Sequence, residues 1–299
     1  MLRNKNVIIK KTDRNQAVVA REVEAWAFKG LFVAFILLFS VQTQGQCLPA
    51  EMPFNDGETV DYDIYFKWGF LMPRAGQGRT SFNRDASIKQ ANFRYRLTFQ
   101  TSKFFDAIYK MRDTLDCFYG PDYGLLYSSK RTSEGDRYSV DELTFSYSGN
   151  KTSVHSHRYT PTRTKIDTFL VVASGCVSDM LGATFRLRTL GWGNMKVGQS
   201  YSSTVAIGRD LVKVSFRYQG QSIVERGDVK YRTRYFHVDI FDEAFEQSGS
   251  AAEVWIGDDE NYIPIKIRTK LKIGYAEVYY NKSANLKAPL RCRVEIKRP

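Results

Sequence analysis

Apolar and polar residues alternate along most of the chain. Val60, Tyr62, Ile64, Phe66 and Trp68 are separated by Asp61, Asp63, Tyr65 and Lys67. The same period of two runs through Phe93–Phe99, Val212–Tyr218 and Ile263–Ile273. Each stretch sends apolar groups to one face and charge to the other, as antiparallel strands with one wet side do. Turn signals punctuate the runs: Asp56-Gly57, Glu134-Gly135-Asp136, Ser148-Gly149-Asn150, Gln219-Gly220 and Gly257-Asp258-Asp259-Glu260-Asn261. Roughly a dozen strands result on this patterning.

One segment breaks the rhythm. From Ser174 to Leu190, Val177, Met180, Leu181 and Phe185 fall on a helical stripe, and Arg188 falls on the same stripe. Ser174 is placed to cap this helix, Arg186 and Arg188 suit its C-terminal end, and Gly191 and Gly193 stop it. Lys103–Tyr109 predicts a second, short helix. One or two helices among many strands cannot build βαβ units, which excludes Rossmann and TIM architectures. The pattern predicts an all-β fold: a strongly curved antiparallel sheet forming a barrel or half-barrel with one central helix. In it, Met180, Leu181 and Phe185 plug the concavity. A two-sheet β-sandwich is the alternative. Residues 46–299 carry no linker or repeat and predict a single β-rich domain, or two halves joined around 171–195.

The first 45 residues are of another kind. Leu31–Val41 is an apolar run broken only by Ser40, the length of a signal-peptide core and too short to cross a bilayer. Seven basic and three acidic residues precede it, and Thr43-Gln44-Gly45 offers cleavage before Gln46. Acylation of Cys47 is the competing expectation, although Gln44 and Gln46 stand where a lipid-attachment motif has Leu and a small residue. The chain therefore reads as exported, periplasmic or associated with the outer envelope. Its 44 basic and 32 acidic residues leave a net charge of +12, or +8 once residues 1–45 are removed. This excess suits solubility or an anionic surface. Export argues against a nucleic-acid partner, and no run of the mature chain is long and apolar enough to span a membrane as a helix.

Cys47, Cys117, Cys176 and Cys292 all lie beyond the predicted cleavage point. An even number in an exported chain permits two disulfides, with three connectivities open, and buried free thiols are the alternative. None forms a C-x-x-C pair. Asp258, Asp259 and Glu260 read as a turn rather than a calcium loop, because ligands at regular spacing are missing. His155 and His157 share a strand face and would hold zinc only if an acid joined them; His237 lies far along the chain. Neither G-x-S-x-G nor a phosphate-binding loop is present. No cofactor and no enzymatic activity are predicted.

Four segments resemble one family. Phe54-Asn55-Asp56-Gly57-Glu58-Thr59-Val60-Asp61-Tyr62 resembles its opening F-x-x-G-E-x-x-x-Y strand, and Tyr65–Gly78 resembles its second hairpin. Cys176–Leu181 is similar to its central helix, and Val254–Ile265 to its closing V-W-x-x-D-D-x-x-x-x-P hairpin. Together they resemble the domain of unknown function 3108 family over about residues 50–282. The resemblance implies an exported, mostly antiparallel β protein and supplies no catalytic residue.

The abundance of aromatics, 20 Phe and 18 Tyr, has functional content. Curved sheets that hold apolar ligands line their concavity with such residues, although a core uses them as well. Tyr62, Phe66, Trp68, Tyr95, Phe99 and Phe216 are the candidate lining. The sequence thus predicts a non-enzymatic periplasmic binder or carrier of a lipid or other amphipathic envelope component. A structural or interaction module with envelope-protein partners is the alternative.

Overall fold

The computed structural model describes Cys47 and residues 49–67, 69–172, 175–191, 195–242, 245–271 and 274–295. The alternating segments become strands β1 (Glu58–Lys67), β2 (Arg74–Arg84), β3 (Phe93–Thr101), β4 (Arg112–Tyr119), β5 (Leu125–Glu134), β6 (Arg137–Ser148), β7 (Lys151–Thr160) and β8 (Arg163–Val172). They continue as β9 (Val177–Ser178), β10 (Ser200–Ile207), β11 (Asp210–Arg226), β12 (Val229–Asp242), β13 (Phe245–Gly257), β14 (Pro264–Lys270), β15 (Tyr275–Ala284) and β16 (Arg293–Glu295). Helices α1 (Lys103–Asp106) and α2 (Met180–Arg188) interrupt them.

All sixteen strands belong to one sheet, ordered β8-β7-β6-β5-β4-β3-β2-β1-β15-β14-β13-β12-β11-β10-β9, with β16 beside β12. The sheet is not closed: β8 ends one side and the two-residue β9, parallel to β10, ends the other. β1 pairs with β15, joining the N-terminal meander to the C-terminal one. Register shifts at Asp61/Tyr62, Ile64/Tyr65 and Tyr218/Gly220 bend it, as bulges do. The last of these corrects a turn expected from Gln219-Gly220. Gly220 takes φ +122°, accommodates the extra residue, and β11 runs on through it to Arg226.

Helix α2 is the element around which the sheet curves. It is shorter than the sequence pattern predicts because Val177 and Ser178 pair as strand β9. Its N-cap is Asp179, whose carboxylate accepts from the Gly182 amide at 2.6 Å; Ser174, the expected cap, lies outside the described residues. Leu181 and Phe185, one turn apart, are buried as the plug requires. Met180 is not part of the plug: as the first helical residue it faces outward and is 46% exposed. Phe185 stacks on Tyr119 at 4.3 Å and on Phe54 at 4.8 Å, and Tyr95 packs 5.7 Å away. On the other side of the helix, Ala183, Leu187 and Leu190 join Phe216, Phe236, Val254 and Ile256 in a second cluster. Val60, Tyr62, Ile263, Ile265 and Tyr280 form a third.

Antiparallel pairing sorts the connections into two ends. The β1–β2, β3–β4, β5–β6, β10–β11, β12–β13 and β14–β15 connections emerge at one, here called upper. The segment entering β1 and the β2–β3, β4–β5, β11–β12 and β13–β14 connections emerge at the other, the lower end.

Candidate functional site

Two of the family-like segments, the one that opens β1 and the β13–β14 hairpin, meet at the lower end around one side chain of α2. Arg188 closes the buried stripe of α2. Its guanidinium donates to Glu58 Oε1 at 2.6 Å and Oε2 at 3.2 Å, and to the Asn261 carbonyl at 2.7 Å from Nη2 and 3.2 Å from Nε. It also lies 3.9 Å from the centre of the Phe54 ring. Arg188 and Glu58 are each about 1% exposed. Burial acts to release the proton from Arg188, but the Glu58 carboxylate and its hydrogen bonds outweigh that and raise the pKa. The clasp thus ties α2 to the start of β1 and to the β13–β14 turn.

Neighbouring residues hold that turn in place. The Asn261 side chain donates to the Ala288 carbonyl and accepts from the Ala288 amide. Asp259 accepts from the Asn261 and Cys292 amides at 3.0 Å each, Asp258 pairs with Arg234 at 2.8 Å, and Glu260 pairs with Arg291 at 2.6 Å. Two glycines are structural requirements here. Gly57 sits at φ +80°, and a Cβ on Gly257 would stand 2.9 Å from Cys292 Sγ. The turn reading of Asp258–Glu260 therefore has a definite content: each carboxylate has a partner within the protein.

The cysteines form one bridge, Cys47–Cys176, at a sequence separation of 129. Cys117 and Cys292 are buried free thiols rather than a second disulfide. Cys117 donates to Asp179 Oδ1 at 3.0 Å, and burial next to that carboxylate pushes the thiol well above its ordinary range. Asp179 is itself raised by burial, against the hydrogen bonds it accepts from Cys117 and Gly182.

An acid does join the paired histidines. Asp167, opposite His157 in the β7–β8 ladder, lies 3.4 Å from His155 Nε2, and its Oδ1 also bonds His157 Nδ1. No group of three His, Cys, Asp or Glu among the described residues has metal-holding geometry. His237 stands apart, bonded to Tyr235 at 2.8 Å.

The expected ligand lining does not converge. Tyr95 lies in the cluster around Phe185, Phe216 in the cluster around Phe236, and Tyr62 in the one around Ile263. Phe66 and Phe99 are half-buried, and Trp68 lies outside the described residues. A groove of about 350 Å³ touches Tyr62 and Phe99, but its walls are polar: Asp61, Asp63, Gln77, Arg79, Gln100 and Lys282. Shared strand period alone did not reveal that α2 and the segment at Phe54 would divide the concavity into three packed regions.

The upper end is different. Twelve of the 18 exposed large apolar side chains among the described residues are there. The densest part spans three adjoining connections. β1–β2 carries Phe70, Leu71 and Met72; β3–β4 carries Phe104, Ile108 and Tyr109; β14–β15 carries Leu271. Phe70 is 96% exposed, Ile108 69% and Phe104 67%. The β3–β4 tip is tied down. Ser102 caps α1 through the Phe105 amide, its own amide donates to Ala75 O at 2.8 Å, and its hydroxyl donates to Arg74 O at 3.2 Å. Asp106 binds Arg112 at 2.6 Å, and this hydrogen bond, with one from Thr101, holds the carboxyl down at about 2. Among the described residues no helix is long and apolar enough to cross a membrane.

The profile of a family described as "Protein of unknown function (DUF3108)" matches residues 61–281. The chain belongs to this family. A DUF1849 protein from Brucella abortus, described as beta-barrel-like, superposes with a TM-score of 0.52 at 11% identity, covering 79% of this chain and 100% of that one. Its likeness to this DUF3108 chain is one of fold. A "putative lipoprotein" from Parabacteroides distasonis gives a TM-score of 0.31 at 5% identity, over 80% of this chain and 99% of its own. No protein of curated function matches significantly.

In this DUF3108 chain the motif residues Phe54, Glu58 and Asn261 hold the fold together at the lower end, whereas the Tyr65–Gly78 segment forms the upper β1–β2 connection. The residue that sequence reasoning undervalued is Arg188, a charge on an apolar stripe. Its position at i+7 from Leu181 was the available signal. Period-two patterns describe strands and pass over the connections between them, so they do not bring the upper tips together.

Proposed function

We propose that this is an exported, non-enzymatic envelope protein that binds an apolar or amphipathic envelope component, and that it does so at its upper rim rather than inside the sheet. One observation carries this reading: exposed aromatic and aliphatic side chains gather at one end, while Phe185 and its neighbours fill the concavity. Soluble proteins rarely expose contiguous apolar patches of this kind without a partner. The net positive charge, the leader-like first 45 residues and the disulfide support an exported setting.

The test is uptake of a fluorescent single-chain amphiphile by the protein purified from its own cells, with native mass spectrometry of any lipid it retains. Phe70→Ser with Phe104→Ser should reduce uptake at least tenfold and leave the denaturation midpoint unchanged. Uptake that survives these changes but disappears in Phe216→Ala would return the ligand to the interior and refute the rim.

A further inference from the structure

The three adjoining upper connections have a charge as distinctive as their apolar content. Residues 67–74, 101–112 and 270–275 contain seven basic residues and one acidic residue. That acid, Asp106, is paired with Arg112, and Arg74 is paired with Asp63 at 2.6 Å. Lys103, Lys110 and Lys270 are exposed beside Phe104, Ile108 and Leu271, and Lys67 is half-buried at the base of the Phe70 tip. The neighbouring β12–β13 connection has the opposite character, Phe241-Asp242-Glu243-Ala244-Phe245-Glu246. Basic charge is therefore concentrated on the sector of the rim that carries the exposed Phe70, Phe104 and Ile108.

Apolar side chains flanked by lysines are what an anionic bilayer surface accepts. Aromatic and aliphatic tips enter the boundary between headgroups and acyl chains, while each lysine stays at headgroup level. A negative membrane surface contributes about 1 kcal/mol per lysine brought to it, about fivefold in affinity. From this we infer that the β1–β2, β3–β4 and β14–β15 connections dock the protein, edge-on, on the face of a membrane rich in anionic lipid. The inference rests on the rim reading above and deepens it: the amphipathic component is the bilayer surface itself.

The probes are vesicles of phosphatidylglycerol mixed with phosphatidylethanolamine and vesicles of phosphatidylcholine alone. Co-flotation is measured at about 0.05 M and about 0.5 M salt, which shortens the screening length several-fold. The protein should float with the anionic vesicles at low salt and at least tenfold less at high salt. A Lys67→Gln, Lys103→Gln, Lys110→Gln, Lys270→Gln variant should lose at least tenfold on anionic vesicles. Phe70→Ser with Ile108→Ser should abolish flotation, with thermal unfolding unchanged in each variant. Equal flotation with both vesicle types would overturn the anionic surface and leave the rim as a binder. Amphiphile uptake without flotation would overturn bilayer docking and leave the proposed function. A dimer that Phe70→Ser dissolves, with no flotation, would assign the rim to a second copy. Absence of both uptake and flotation would end both readings.

Discussion

Phe54 and Phe104 each sit beside a basic residue, at opposite ends of the same sheet. Phe54 is buried under the Arg188 guanidinium, which Glu58 and the Asn261 carbonyl satisfy. Phe104 is 67% exposed and Lys103 next to it points into solvent. The lower end therefore uses an aromatic and a cation to fix the fold, and the upper end leaves the same pair of groups available. Residue type does not separate the two uses. Enclosure does, because desolvating a charge is tolerable only where its partners are already in place.

The sharpest way to break the comparison is at the lower end. Arg188→Ala strands Glu58 in a buried site and should cost about 3–5 kcal/mol, read from urea unfolding. The paired change Arg188→Met with Glu58→Leu should cost much less than the single one, since no charge is left unpaired. If Arg188→Ala leaves the midpoint unmoved, the clasp is not holding α2. Phe185→Ala, in the same region, should lose a comparable amount, about 3–5 kcal/mol, by opening a cavity beneath Tyr119 and Phe54. Phe104→Ser, by contrast, should shift stability by less than about 0.5 kcal/mol, as surface changes do. A large loss there would make the upper tips structural and erase the distinction between the ends.

Two smaller effects sharpen it further. Asp179 has a pKa raised by burial, so its contribution to stability is complete below the unfolded carboxylate value of about 3.9 and is lost as pH rises through the folded value. Asp179→Asn retains an oxygen for the Gly182 amide but cannot ionise. The urea midpoint of the wild type should therefore fall relative to this variant between about pH 4 and neutrality. A constant difference across that range would refute the assignment. Finally, Cys117 and Cys292 should ignore a thiol reagent in the native protein and react as two thiols once it is unfolded without reductant.

Much of this was legible in the sequence, for identifiable reasons. Strict alternation at Val60–Phe66 and Val212–Tyr218 predicts strands because a buried face permits no slip of register. The plug was half legible: Leu181 and Phe185 follow from helical spacing, but Met180 did not, since the helix begins at that residue and turns it outward. Gly220 reads as a turn because a glycine that bends a strand and one that reverses it look alike locally; only the pairing of Gln221 with Arg234 distinguishes them. The division of Tyr62, Tyr95 and Phe216 among three clusters depends on where α2 enters, a long-range fact that no strand pattern encodes. The upper sector was present in plain view as residues 67–74 and 101–112, but adjacency of those connections requires the strand order.

The pairing of β1 with β15 bears on the order of events as the chain is made. When Glu58–Lys67 leaves the synthesis machinery, β2 follows at once, but the strand that will cover its other side arrives more than 200 residues later. Throughout that interval the Val60–Phe66 edge offers unpaired amides and carbonyls to any passing strand. Contacts this distant in sequence also close slowly once both partners exist. The seam between β1 and β15 is therefore where nascent chains are most exposed to wrong pairing, and where a holding chaperone would act longest.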